Sequence, residues 1–225
     1  MKLRIIIYIV SILPLFSFAQ KKYYFNLYTI YELKNNSSPN TILEIVYNDT
    51  LNENYKLSFG AKNDLVIRVS LNDITKHKVD QYNFDIKNIK FQSINYSKDF
   101  KQFSKNSFPF SNKSLQKICD RNKYYDRKLE QVNDSIEKET FNFYNDKKKM
   151  KKKVELVIES YSNKHIINNV PDDYIYIIGE CIDQKYKSKI VTKMNSIYFS
   201  EDGTKKEYNL KLIEMNTANI SINLH

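Results

Sequence analysis

Two cysteines and one run of lysines are the residues whose type and spacing best suit chemistry. Cys119 and Cys181 are the only thiols in 225 residues. One pair can form a single disulfide but cannot build a four-thiolate zinc site or a disulfide-dense scaffold. The N-terminus, read below as an export signal, would place the chain where such a bond persists. Closing a loop of this length contributes about 4 kcal/mol by the chain-entropy argument. The alternative is two buried free thiols, since cysteine packs well as a small hydrophobe. Nothing beside either residue resembles the histidine that activates a thiol nucleophile.

The lysines are Lys147, Lys148, Lys149, Lys151, Lys152 and Lys153, interrupted by Met150. Clustered ammonium groups displace counterions from a polyanion such as anionic lipid or acidic glycan. Phe143 and Tyr144 lie just upstream and offer stacking surface. A solvated linker accounts for the same run. Nucleic acid is not expected as a partner, because the chain reads as exported and carries no DNA- or RNA-binding motif.

Catalytic patterns are sparse. His77 stands between Lys76 and Lys78, His165 follows Asn163-Lys164, and His225 ends the chain. Neither H-E-x-x-H nor G-x-S-x-G occurs, and no calcium-loop pattern is present. Glu155, Glu159 and Glu180 are scattered acids, and Pro171-Asp172-Asp173 reads as a turn. With three glycines, phosphate-loop and glycine-repeat proteins are excluded. The expectation is a protein without metal or cofactor, and a binder more than an enzyme.

Elements must position these residues, and the first segment is an address. Met1-Lys2-Leu3-Arg4 is basic, Ile5–Leu13 is apolar, and Ser17-Phe18-Ala19 has small residues at the −3 and −1 positions. That is the form of a secretory signal peptide cut after Ala19. It is too short for the roughly 20 residues of a membrane span. A periplasmic or secreted location follows, with no transmembrane segment after signal removal. Removing Lys2 and Arg4 reduces the net charge from +10 to +8. Six of those charges sit in the lysine run, so the remainder is close to neutral.

Residues 20–225 read as one domain of the α+β class, mostly antiparallel β-sheet with one long amphipathic helix inserted mid-chain. The 41% hydrophobic and 14% aromatic content is enough for a core. Tyr23, Phe25, Leu27, Thr29 and Tyr31 alternate along one strand face. Further strands are expected at Ile42–Tyr47, Tyr55–Phe59, Leu65–Leu71 and, more weakly, Phe84–Ser93. Leu115, Ile118, Asn122, Tyr125, Leu129, Val132 and Ile136 then recur at helical spacing, predicting an insertion over about 111–140. At 1.5 Å per residue a helix from about 112 to 139 within it is about 42 Å long. It would cover a sheet face or pair with another helix. Residues 145–153 read as a basic linker. Val154–Ile158, Ile190–Phe199, Tyr208–Glu214 and Ile220–Leu224 read as strands, with Tyr174–Ile182, apolar on both faces, as the central one. Asp202-Gly203 marks a hairpin turn.

These readings converge on an exported, non-catalytic envelope or secreted protein that acts as a binding module for an unknown protein. Binding to an anionic envelope component through Lys147–Lys153 is the alternative. A hydrolase of extracellular polymers is the second alternative.

Overall fold

A computed structural model describes residues 21–36, 38–75, 78–109, 112–148, 151–165, 173–184 and 189–224. The expected signal peptide (1–19), Lys149, Met150, His77 and His225 lie outside the described residues.

Among the described residues the fold is one antiparallel sheet of eleven strands with two short α-helices. The strands are β1 (Lys21–Asn35), β2 (Ser38–Asp49), β3 (Asn52–Lys62), β4 (Leu65–Thr75), β5 (Lys78–Phe84), β6 (Phe103–Pro109), β7 (Tyr125–Asn133), β8 (Ile136–Tyr144), β9 (Lys152–His165), β10 (Lys189–Phe199) and β11 (Lys205–Leu224). The helices are α1 (Asn112–Arg121) and α2 (Asp173–Cys181). In space the strands run β6-β5-β4-β3-β2-β1-β11-β10-β9-β8-β7. The chain therefore starts at the centre, meanders to one edge, crosses by way of α1 to the other edge, and returns to pair β11 with β1.

Curvature follows from chain length. Eleven flat strands at about 4.8 Å spacing would separate β6 from β7 by about 48 Å. The chain from Pro109 to Tyr125, most of it the helix α1, reaches at most about 39 Å. The sheet must therefore curl. Register shifts between Phe25 and Leu27 and between Ile30 and Tyr31, where β1 meets β11, are bulges of the kind that bend strands.

Two hydrophobic cores share the sheet. The first joins Ile45, Tyr47, Leu57, Phe59, Val69, Leu71, Tyr82 and Phe84. The connection after β5 covers it through Ile86 and Phe100, with Phe91 and Tyr96 packed alongside. The second joins Phe141, Phe143, Val154, Leu156, Ile158, Val191, Met194, Leu210 and Tyr31, with Tyr174 and Ile178 of α2 set against them. Residues directly opposite on paired strands share a face. Ile30 opposes Ile45 of the first core, while Tyr31 opposes Leu212 beside the second. The cores therefore lie on opposite faces where β1 passes between them. Ahead of Leu27, β1 has no register with β2. There Tyr23 packs edge-on to Tyr55 at 5.0 Å, and Phe25 to Tyr55 at 5.6 Å, so both belong to the first core.

Five expectations are corrected. The long helix does not form: α1 ends at Arg121, and Tyr125–Tyr144 is the hairpin β7–β8. Leu115 and Ile118 belong to α1, but Leu129 and Val132 are more than half exposed on an edge strand. Helical spacing loses here to strand pairing, because Phe141 and Phe143 alternate into the second core and Asn133-Asp134-Ser135 makes a turn. The Asn133 side chain accepts from the backbone N–H of Ser135 at 2.9 Å and of Ile136 at 3.0 Å. The expected central strand Tyr174–Ile182 is instead α2. An apolar run is ambiguous in period, and Tyr174 and Ile178, one turn apart, are both buried. The expected linker 145–153 shrinks to a loop between β8 and β9, since β8 reaches Tyr144 and β9 begins at Lys152. In addition, the weak strand Phe84–Ser93 is the end of β5 followed by irregular chain and a 3-10 turn at Phe91–Ser93. The two C-terminal strands are one strand, β11.

Turn chemistry agrees with the sequence at β10–β11, where Gly203 takes φ +86°, a region only glycine enters at little cost. At β3–β4 the two-residue turn Asn63-Asp64 has φ of 51° and 62°, the primed geometry that matches strand twist.

Candidate functional site

Cys119 near the end of α1 and Cys181 at the end of α2 form a disulfide with Cα atoms 5.3 Å apart. It ties helix to helix. Since α2 carries Tyr174 and Ile178 into the second core, the bond anchors α1 to that core indirectly.

Below α2 lies a buried ionic network. Glu137 and Glu139 alternate in β8 with Phe141 and Phe143, so acids and aromatics share one face. Glu139 is fully buried. It accepts from Arg127 Nε at 2.6 Å and from Lys189 Nζ at 3.0 Å. Lys189 also pairs with Glu137, and Arg127 Nη2 reaches Asp183 Oδ2 at 3.0 Å. The guanidinium stands 5.5 Å from the centre of the Phe141 ring. Burial, and the positive charge of Arg127, push the Lys189 ammonium down to about 8. The network clamps edge strand β7 to β8, β10 and the chain leaving α2. Each oxygen of Glu139 is matched to a cation, as a structural clasp requires. In the sequence the signal for this network is two acids, Glu137 and Glu139, in step with Phe141 and Phe143.

A second charged cluster borders the first core. Asp73 of β4 stands opposite Asp80 of β5. Like charges so placed repel, and each is separately matched. Asp73 accepts from the Tyr23 hydroxyl at 2.6 Å and pairs with Lys21. Asp80 accepts from Ser107 at 2.8 Å and pairs with Lys78 at 2.8 Å and Lys105 at 3.1 Å. Those partners hold the Asp80 carboxyl well below the usual range, Lys78 foremost. Burial and the Asp73 bond push the Tyr23 phenol far above its ordinary value.

The basic run divides. Lys147, Lys148 and Lys151 are exposed in the β8–β9 loop. Lys152 pairs with Glu155 at 2.7 Å. Lys153 donates to Asn122 Oδ1 at 3.2 Å, and burial pushes its ammonium down. Phe143 is fully buried and offers nothing to a stacking ligand. The Tyr144 hydroxyl donates to Asp126 at 3.0 Å. Of the other residues considered, His165 closes β9, and Glu155 and Glu159 lie along β9 paired with Lys152 and Lys193. Among the described residues no group of three or more His, Cys, Asp or Glu is arranged to hold a metal ion. No described helix is long and apolar enough to cross a membrane.

Both edges of the sheet are open among the described residues. In β6 every residue after Phe103 is exposed, and in β7 every residue after Tyr125. No protein-family model matches the chain, and a comparison with curated proteins finds no match.

Proposed function

We propose that the chain is an exported, non-catalytic envelope or secreted protein that binds a protein partner along an open edge of its sheet. The observation that carries this reading is the exposure of β6 and β7, each with a strand neighbour on one side only among the described residues. An edge offers a ready row of backbone donors and acceptors to an incoming strand. The form of residues 1–19 and the Cys119–Cys181 disulfide support an oxidising, exported setting.

The test is affinity capture from envelope extract with residues 20–225, followed by amide hydrogen exchange on the captured complex. Capture that survives high salt and newly protects 103–109 or 125–133 is expected. Protection confined to other segments overturns edge binding. A second reading rests on the exposure of Lys147, Lys148 and Lys151 at a hairpin tip. It expects binding to anionic vesicles that falls steeply with salt and disappears when Lys147, Lys148, Lys149 and Lys151 are changed to serine.

A further inference from the structure

We propose that β7 pairs antiparallel with β7 of a second copy of this chain, about a two-fold axis through Leu129. This names one partner for the edge-binding reading above and rests on it. Residues directly opposite share a face, so a symmetric pairing centred on Leu129 sets Leu129 against its own copy and Lys128 against Glu130. The symmetry produces that charge pair twice. Arg127 meets Gln131 on the other face. Moving the axis to Lys128 sets lysine against lysine, and moving it to Glu130 sets glutamate against glutamate. The Leu129 register is thus selected by charge complementarity within Tyr125–Asn133 itself.

The exposed side chains fit this occupant. Lys128 and Glu130 bridge each other at 2.5 Å within the strand, so exchanging partners across the axis leaves no charge unmatched. Leu129 is 54% exposed and Val132 52%. Leu129 lies opposite Glu139, at the rim of the second core's face, and two such leucines meeting on the axis cover each other's exposed apolar surface. Charged residues commonly guard sheet edges against association. Here opposite signs flank a leucine two positions apart, an arrangement that rewards self-pairing instead of blocking it. The other edge lacks the pattern. Centring β6 on Asn106 sets Lys105 against Ser107, and Pro109 has no N–H to give. The assembly therefore closes as a dimer through β7 and does not propagate.

Sedimentation velocity of oxidised residues 20–225 over a wide concentration range tests this without any extract. The expected result is a reversible monomer–dimer equilibrium. K128E sets like charges together at both symmetric positions, and so does E130K. Each is expected to weaken self-association at least tenfold while leaving the melting temperature within a few degrees, since both side chains are exposed. An equimolar mixture of K128E and E130K restores every charge pair and is expected to recover dimerisation as a heterodimer. A strictly monomeric wild type overturns the proposal. So does a dimer that neither substitution weakens, or a mixture that fails to recover. A monomer in pure solution leaves the capture experiment standing, because extract partners on either edge are read there independently.

Discussion

Gly60 illustrates how much a single residue decides in this sheet. It lies in β3 between Glu44 of β2 and Arg68 of β4. A Cβ there would sit 2.7 Å from Arg68 Nε and 2.8 Å from its Cγ. Arg68 crosses that bare position to pair with Glu44, which is 2% exposed. Burial pushes the Glu44 carboxyl up, and the guanidinium offsets part of that. Gly60→Ala therefore displaces Arg68 and leaves a buried carboxylate poorly matched, at an expected cost of about 1–3 kcal/mol. Denaturant melts of G60A, R68A and the double variant check this. The double variant should cost little more than either single change, and additive costs would contradict the crossing. Asp80 supplies a pH test. Its folded carboxyl is held below the unfolded value of about 3.9. Its contribution is fully present above that value and lost as pH falls through the folded one. Wild type should therefore lose stability on acidification below pH 4 more steeply than Asp80→Asn, as thermal melts between pH 2 and 6 would show.

At the scale of elements, the chain between Asn112 and Tyr144 carries both periods. Leu115 and Ile118 repeat helically and form α1, whereas Glu139, Phe141 and Phe143 repeat every second residue and form β8. Asn122 marks the change. It is 6% exposed, and its amide donates to the Ile118 carbonyl at 2.8 Å, closing the helix by side chain. The strands β1 and β9 were legible because each alternates clearly with one buried face. The helix α2 was not, because Tyr174–Ile182 is apolar apart from Glu180 and so shows no clear period; in the structure an aromatic floor takes up Tyr174 and Ile178. Phe143 lies 5.0 Å from Tyr174, and Tyr198 lies 5.8 Å from it. The disulfide acts at this scale, joining two helices that are 62 residues apart in sequence at the bonded cysteines. Replacing Cys119 and Cys181 by serine is expected to lower stability by about 4 kcal/mol while far-UV circular dichroism keeps its β signature. A change near zero in denaturant melts would show that the second core already holds α1 and α2 in place.

The whole molecule is one sheet carrying two cores joined by β1. Core residues in either half depend on that strand, through Phe25 in one case and Tyr31 in the other. Cooperativity should therefore extend across both cores. Phe59→Ala in the first and Phe141→Ala in the second, both fully buried, are each expected to cost about 3–5 kcal/mol. Each variant should still melt in one transition, coincident by tyrosine fluorescence and circular dichroism. Two separated transitions would show that the halves fold independently. The solvent side of the second half is organised on the same scale, as a charge row running across six strands. Glu130, Lys138, Glu159, Lys193, Lys211 and Glu32 stand in register on β7, β8, β9, β10, β11 and β1. Signs alternate except between Lys193 and Lys211, so this face is solvated and largely self-compensating.

Read along the chain alone, the residues specify the β-rich class, the alternation of several strands, the Asp202-Gly203 turn and the one cysteine pair able to bond. These are local properties: side chains alternate by covalent geometry, and a turn residue is chosen by its own φ and ψ. Long-range packing selects which helical-looking segments become strands, that the apolar run Tyr174–Ile182 becomes α2, and how buried acids find their cations. Lys189 is matched to Glu139, and Arg68 to Glu44 across Gly60, only because strands distant in sequence lie side by side. Pairing of that kind is a long-range choice made by the sheet as a whole, and no window along the chain contains it.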